Sequence, residues 1–242
     1  MIEIDNVHKR LGDRDILRGL TLRVPKGVNF VLMGPSGTGK SVTLKHVIGI
    51  FRPDQGDLRV DGQDVAAMNR SELMNLRKRM GYLFQNGALI NWLSVAENVA
   101  LPLKEHGRLP KSELDERVHQ VLKLVGMDHA ARQSPSDISG GMKLRAGLAR
   151  ALITRPEYVL YDEPNAGLDP IISQQIHELI AEVRDTLSVT GLIVTHSRAC
   201  ATQCGDRIGI LEDGRLGVEG SVDEIVASEH PLARAFMGEG AD

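Results

Sequence analysis

The run Gly34-Pro35-Ser36-Gly37-Thr38-Gly39-Lys40-Ser41 satisfies the pattern G-x-x-x-x-G-K-[ST] at every fixed position. Glycines at this density let backbone N–H groups converge on phosphate oxygens, and a helix starting at the end of the loop offers its N-terminus. Lys40 supplies a cation for the β and γ phosphates, and the Ser41 hydroxyl is the expected Mg²⁺ ligand. Val42 carries the loop into that helix and is counted with the phosphate-binding residues. Three further segments carry chemistry. Ile138-Ser139-Gly140-Gly141 precedes a helical stretch with Lys143 and Arg145, a second place where glycines and a helix N-terminus favour an anion. Tyr158-Val159-Leu160-Tyr161 is an apolar run that ends in Asp162 and Glu163. Thr195-His196 closes another apolar run, and a histidine there can hydrogen-bond a terminal phosphate.

These residues need elements to position them. Val28–Met33 is mostly apolar, as a strand buried on both faces should be, and it runs straight into the glycine loop. The helix after the loop is expected over Lys40 to Ile48. Pro25-Lys26-Gly27 separates Thr21–Val24 from that strand, and Asp61-Gly62 marks a tight turn after Asp57–Val60. Leu114, Val118, Val121, Leu122 and Val125 recur at helical spacing, with Ser112 placed to cap the start. A further helix is expected from Gly140 to Arg155, with Gly147 inside it. Tyr158–Tyr161 and Leu192–Val194 read as buried strands. Between them Ile172, Ile176, Leu179, Ile180, Val183 and Leu187 mark an amphipathic helix. Leu211–Leu216 reads as a hairpin. The plan is an α/β core over 1–85 and 157–242, interrupted by a helical subdomain over 86–156.

The bulk numbers narrow the class. The chain has 242 residues, 42% hydrophobic and 25% charged, within the range of one large α/β domain. A net charge of -3 carries no nucleic-acid footprint. No apolar stretch reaches the roughly 18 residues a bilayer span requires, and Met1–Asp5 is not a signal-peptide start. Work at a membrane would need another chain. Cys200 and Cys204 could share a metal, but no ligand cluster accompanies them, and two reduced thiols are the expectation.

Taken in order, the four chemical segments resemble the ATPase subunit of ABC (ATP-binding cassette) systems over nearly the whole chain. The resemblance implies a P-loop NTPase core with a parallel sheet, an N-terminal antiparallel β subdomain and the inserted helical subdomain. It implies ATP and Mg²⁺ as cofactors. Asp162 would support Mg²⁺ through water and Glu163 would polarise the attacking water. Gln85, after the run Met80–Phe84, would contact the metal and the nucleophile. His196 would bond the γ-phosphate. Ser139, Gly140 and Gly141 would complete the ATP site of a second copy, with Asp169 in a loop along the dimer seam. An integral-membrane permease would dock near residues 86–104, where Ala88, Leu89, Ile90, Trp92 and Leu93 make an unusually apolar connection. The subunit would sit peripherally on the cytoplasmic face of the inner or plasma membrane, and a small regulatory subunit and a lipid-binding protein can accompany such assemblies.

Several positions depart from the family pattern. Ser197 follows His196 where an acidic residue is usual. Ile138 and Met142 replace a leucine and a glutamine of the signature. Leu11 stands where an aromatic ring usually stacks on adenine, which implies weaker reading of the base. The text Leu83–Leu89 and Val95–Leu103, the signature Ser139-Gly140-Gly141-Met142, and Asp162–Pro164 followed by Gly167–Ile171 resemble the ATPase of the Mla/Mce phospholipid-transport systems. Two alternatives remain open: an importer of polar solutes such as amino acids, and a non-transport ABC ATPase.

Overall fold

The structure, a computed structural model, describes residues 1–107 and 109–238. Two sheets organise it. The first is antiparallel, in the order β2-β1-β4-β5, from β1 (Ile2–Leu11), β2 (Arg14–Val24), β4 (Gln55–Val60) and β5 (Gln63–Asp64). Asp61 and Gly62, both at positive φ, turn β4 into β5 as the dipeptide predicts.

The second sheet has the order β10-β9-β3-β8-β7-β6, with β3 (Asn29–Met33), β6 (Met80–Leu83), β7 (Tyr158–Asp162), β8 (Thr190–Thr195), β9 (Arg207–Glu212) and β10 (Arg215–Ser221). All neighbours are parallel except β10, which returns on β9 through Asp213-Gly214. Its central strands bury alternate residues on opposite faces, which explains their unbroken apolar runs. Phe30, Leu32, Tyr158 and Leu160 join one core with the first sheet. Val31, Met33, Val159 and Tyr161 join a second core with the helices.

Helix α1 (Lys40–Val47) follows the glycine loop and ends one residue before the expected limit. Helix α2 (Arg70–Lys78) leads into β6. The described residues between β6 and β7 form 3-10 turns and three helices: α3 (Val95–His106), α4 (Lys111–Leu124) and α5 (Gly140–Leu152). Ser112 does not cap α4. The cap is two residues earlier, at Pro110, whose fixed φ of -53° and carbonyl (accepting from Leu114 N–H at 3.0 Å) set the first turn and leave Ser112 inside it. Helix α5 ends at Leu152 rather than Arg155, which lies at φ 53° in the turn before β7.

Helix α6 (Pro170–Leu187) carries the amphipathic stripe, but Leu187 at its end is 42% exposed. Helix α7 (Arg198–Cys204) buries both cysteines as free thiols, and Cys204 Sγ donates to the His177 carbonyl at 3.6 Å. Among the described residues no cluster of His, Cys, Asp and Glu is arranged to hold a metal, and no helix is long and apolar enough to cross a membrane. Helices α8 (Val222–Val226) and α9 (Pro231–Met237) close the described chain.

Candidate functional site

Four adjacent parallel strands, β3, β8, β7 and β6, end along one edge of the second sheet. Each delivers one chemical group just past its last residue. The glycine loop follows Met33, His196 follows Thr195, Glu163 follows Asp162, and Gln85 follows the Leu83 end of β6. Ligands bind at the carboxyl ends of such strands, where the N-termini of the following helices face them. Residues widely spaced in sequence thus line one cleft of about 400 Å³. Its wall includes Ser36, Gly37, Gly39, Lys40, Ser41, Val42, Gln85, Glu163 and His196.

Lys40 is almost fully buried. Its Nζ donates to the carbonyls of Gly34 at 2.7 Å and Pro35 at 3.1 Å, and it lies 3.5 Å from Glu163 Oε1. The loop therefore holds its own cation in reserve. Ser41 Oγ donates to Asp162 Oδ1 at 2.7 Å. The other oxygen of Asp162 accepts the Tyr82 hydroxyl at 2.9 Å. Asp162 and Glu163 diverge, as adjacent residues at a strand end should. Asp162 faces the loop helix. Glu163, at φ 48°, accepts from the His196 backbone N–H at 3.3 Å and shares a 2.9 Å hydrogen bond with His196 Nδ1. A non-glycine residue in that left-handed region is uncommon, and such backbone persists where surroundings hold it. Here the Glu163 N–H donates to the Val194 carbonyl at 2.9 Å.

The oxygen donors fit a hard divalent cation. A hydroxyl and a carboxylate oxygen already meet at Ser41 and Asp162, and the Gln85 amide lines the same cleft; such oxygen sets suit Mg²⁺, which keeps several of its waters. Ser197 has a local role: its hydroxyl accepts from the Cys200 N–H at 3.2 Å and caps α7, a task an acidic residue could equally perform.

Ser139 lies outside this cleft. It caps α5, accepting from Met142 N–H at 3.3 Å, and Ser139 and Gly140 are exposed. Asp169 caps α6, accepting from the N–H groups of Ile171 and Ile172, each at 3.0 Å. The loop before it borders a neighbouring cleft that His196 also lines. The start of α5 thus forms no part of the cleft wall that the start of α1 helps to build. Leu11, 36% exposed at the end of β1, is also outside the phosphate cleft. The side chain that β2 contributes there is Ile16, which packs close to Gly39.

Sequence reasoning missed the residues that shape the segment after Gln85. Asn98 on α3 is fully buried, and its Nδ2 donates to the carbonyls of Ile90, Leu93 and Ser94 at 3.0, 3.2 and 3.0 Å. Its Oδ1 accepts from the Ile90 N–H at 2.7 Å. Arg150 on α5 donates to the Gly87 and Ala88 carbonyls at 2.7 and 2.8 Å. Gly147 is small for a reason: a Cβ there would come within 2.7 Å of Gly87 Cα, so α5 packs directly on the turn's backbone. The only sequence signal was a glycine inside a helix. Asn98→Ala should leave the Leu93 carbonyl and the Ile90 N–H without their partner, while the Ile90 and Ser94 carbonyls keep the backbone N–H groups of Leu93 and residue 98, and should lower stability by about 2–3 kcal/mol. A denaturant midpoint unchanged from wild type would show that the clamp is dispensable.

Comparison with known proteins agrees with this geometry. The family model described as ABC transporter matches residues 17–166. The intermembrane phospholipid transport system ATP-binding protein MlaF of Escherichia coli K12 is 39% identical over 242 residues, covering 100% of this chain and 90% of that protein. The probable ribonucleotide transport ATP-binding protein mkl of Mycobacterium leprae is 40% identical over 236 residues, 98% of this chain and 68% of that protein. Among solved structures, the dimeric post-hydrolysis state of the ATP-binding cassette MJ0796 bound to ADP and Pi superposes with a TM-score of 0.83 at 30% identity, covering 92% of this chain and 99% of that one. With its loop, carboxylates, histidine and glutamine on one sheet edge, the chain belongs to the ABC transporter family as an ATP-binding subunit that hydrolyses ATP to power transport.

Proposed function

We propose that two copies of this chain close around two ATP molecules with Mg²⁺ and that the cycle drives an integral-membrane permease, moving phospholipid between membranes. The convergence of Lys40, Ser41, Gln85, Glu163 and His196 on one cleft carries the catalytic part. Lys40 leaves the Gly34 and Pro35 carbonyls to bind the β and γ phosphates. Ser41, Asp162 and Gln85 hold Mg²⁺, which neutralises charge on the phosphate oxygens when bound. Glu163 orients and polarises the attacking water, and His196 holds Glu163 in place and bonds the γ-phosphate. Catalysis is mainly positioning and electrostatic stabilisation. The signature Ser139-Gly140-Gly141, whose Ser139 and Gly140 are exposed and outside this cleft, supplies the opposite wall from the second copy. The dimeric state of the MJ0796 cassette supports that arrangement.

Residues 86–156 form the unit that transmits nucleotide state to the permease. Trp92 is the anchor: it is 85% exposed, whereas Leu89 is half-buried against the helical core. The apolar segment is therefore divided between packing and display, and Leu89 is a poor probe of docking because a charge there would disturb the core. Trp92→Glu should weaken permease binding by roughly 30-fold or more, the loss expected for a central aromatic anchor. Nucleotide affinity of the isolated chain should not change. Co-purification of the folded variant with its permease at wild-type yield would refute the docking site.

Full-length similarity to MlaF supports phospholipid as cargo. Similarity to mkl supports a second reading, ribonucleotide. The assembly should be purified from native membranes and its bound small molecules identified. Phospholipid is expected; a ribonucleotide or amino acid held by the permease would replace the lipid reading.

A further inference from the structure

Tyr82 belongs to none of the motifs that define the cleft, yet it makes one of the closest contacts to its metal end. It lies on β6, the neighbour of β7, and its hydroxyl donates to Asp162 Oδ2 at 2.9 Å. Ser41 Oγ donates to Oδ1 of the same carboxylate at 2.7 Å. Each oxygen of Asp162 thus has its own O–H donor, and the two donors come from different elements. The torsion that turns a carboxylate about its Cβ–Cγ bond is soft and roughly two-fold. One donor leaves the plane free to swing; two opposed donors hold it. Burial alone does not account for the bond. The Tyr161 hydroxyl, fully buried in the same sheet, has no hydrogen-bond partner among the described residues.

A second contact leads away from Tyr82. Residues two apart on a strand share a face, and the Tyr82 and Phe84 rings lie 4.2 Å apart between centroids, tilted by 31°. Phe84 immediately precedes Gln85, which lines the cleft. The orientation of Asp162 is thereby tied, through two stacked rings, to the start of the Gln85 turn.

We propose that Tyr82 is a positioning residue for metal binding: it fixes the plane of Asp162 so that the oxygen shared with Ser41 stays available to the cation. The inference rests on the reading of this cleft as an ATP–Mg²⁺ site. Partners that orient a metal-binding carboxylate typically contribute about 10–100-fold in metal affinity. Tyr82→Phe keeps the ring and its stack on Phe84 and removes only the donor.

The test measures AMP-PNP affinity of the full chain in EDTA and in saturating Mg²⁺, together with the Mg²⁺ concentration for half-maximal ATP hydrolysis. Tyr82→Phe should bind AMP-PNP in EDTA like wild type. It should lose about tenfold of the Mg²⁺-dependent gain and need about tenfold more Mg²⁺ for half-maximal hydrolysis. Tyr82→Leu, which also removes the ring, should show the same loss together with a lower melting temperature. A Mg²⁺-dependent gain that survives intact in Tyr82→Phe would overturn the positioning role while leaving the ATP–Mg²⁺ reading standing. An equal loss in EDTA and in Mg²⁺ would also overturn it, as that is the mark of a packing defect. If wild type shows no response to Mg²⁺ in either measurement, the reading of the cleft itself fails, and the role of Tyr82 with it.

Discussion

Glu163→Gln is expected to lower ATP turnover by about 10²–10⁴-fold, the usual contribution of a positioned acid–base group, while ATP binding remains near the wild-type level. The side chain changes little in size, and the backbone at Glu163 is held by its N–H bond to the Val194 carbonyl, which the substitution leaves intact. What goes is the negative charge to which the proposed role assigns the polarising of water; an amide oxygen can still accept from the His196 N–H. Lys40 loses a neighbour at 3.5 Å but keeps its bonds to the loop carbonyls until nucleotide displaces them. With binding retained and hydrolysis blocked, ATP should hold two chains together. Size-exclusion chromatography with light scattering should show a nucleotide-dependent dimer that wild type forms only transiently. Turnover within twofold of wild type would remove Glu163 from the catalytic role.

A second large effect concerns the site's division between two copies. Lys40→Ala and Ser139→Arg should each abolish activity as homodimers, the first by removing the phosphate cation and the second by filling the anion seat at the start of α5. Mixed dimers place both lesions in one site and leave the other whole if, as proposed, each site takes its loop from one chain and its signature from the partner. Each mixed dimer has one of two sites intact, so isolated mixed dimers should recover up to about half of wild-type activity, and an unsorted equal mixture up to about a quarter. The assay is ATP hydrolysis by the assembled complex, with mixed dimers isolated through two affinity tags. No recovery from verified mixed dimers would place Ser139 and Lys40 in the same chain's site, whereas an active Ser139→Arg homodimer would make Ser139 irrelevant to it. The exposed position of Ser139 outside the phosphate cleft argues for the shared arrangement.

The features legible in the sequence are those that a few neighbouring residues determine among themselves. The glycine loop is recognisable because its conformation and its anion affinity arise from backbone N–H groups close together in the chain. The strands of the second sheet are recognisable because burial on both faces demands continuous apolar runs, and Asp162 and His196 are marked as strand-end groups by where those runs stop. Helix α6 shows through its apolar period. Local rules reached their limit at element ends. Ser112 was a plausible cap, but a proline two residues earlier decided where α4 begins.

Tertiary structure decided what touches what. Ser41 and Asp162 are 121 residues apart and Tyr82 and Asp162 80 apart, and only the strand order β3-β8-β7-β6 brings them to one edge. The same holds for Asn98, an ordinary helix asparagine until the chain before it folds back within reach of its amide. It holds for Leu89 and Trp92, equally apolar in the sequence, of which one packs inward and the other stands in solvent. Backbone conformation and hydrophobic period are properties of short segments, so composition and spacing determine them. A hydrogen bond or a buried face between distant segments depends on the relative placement of whole elements, which the packing of two cores against a shared sheet sets, and which no local pattern encodes.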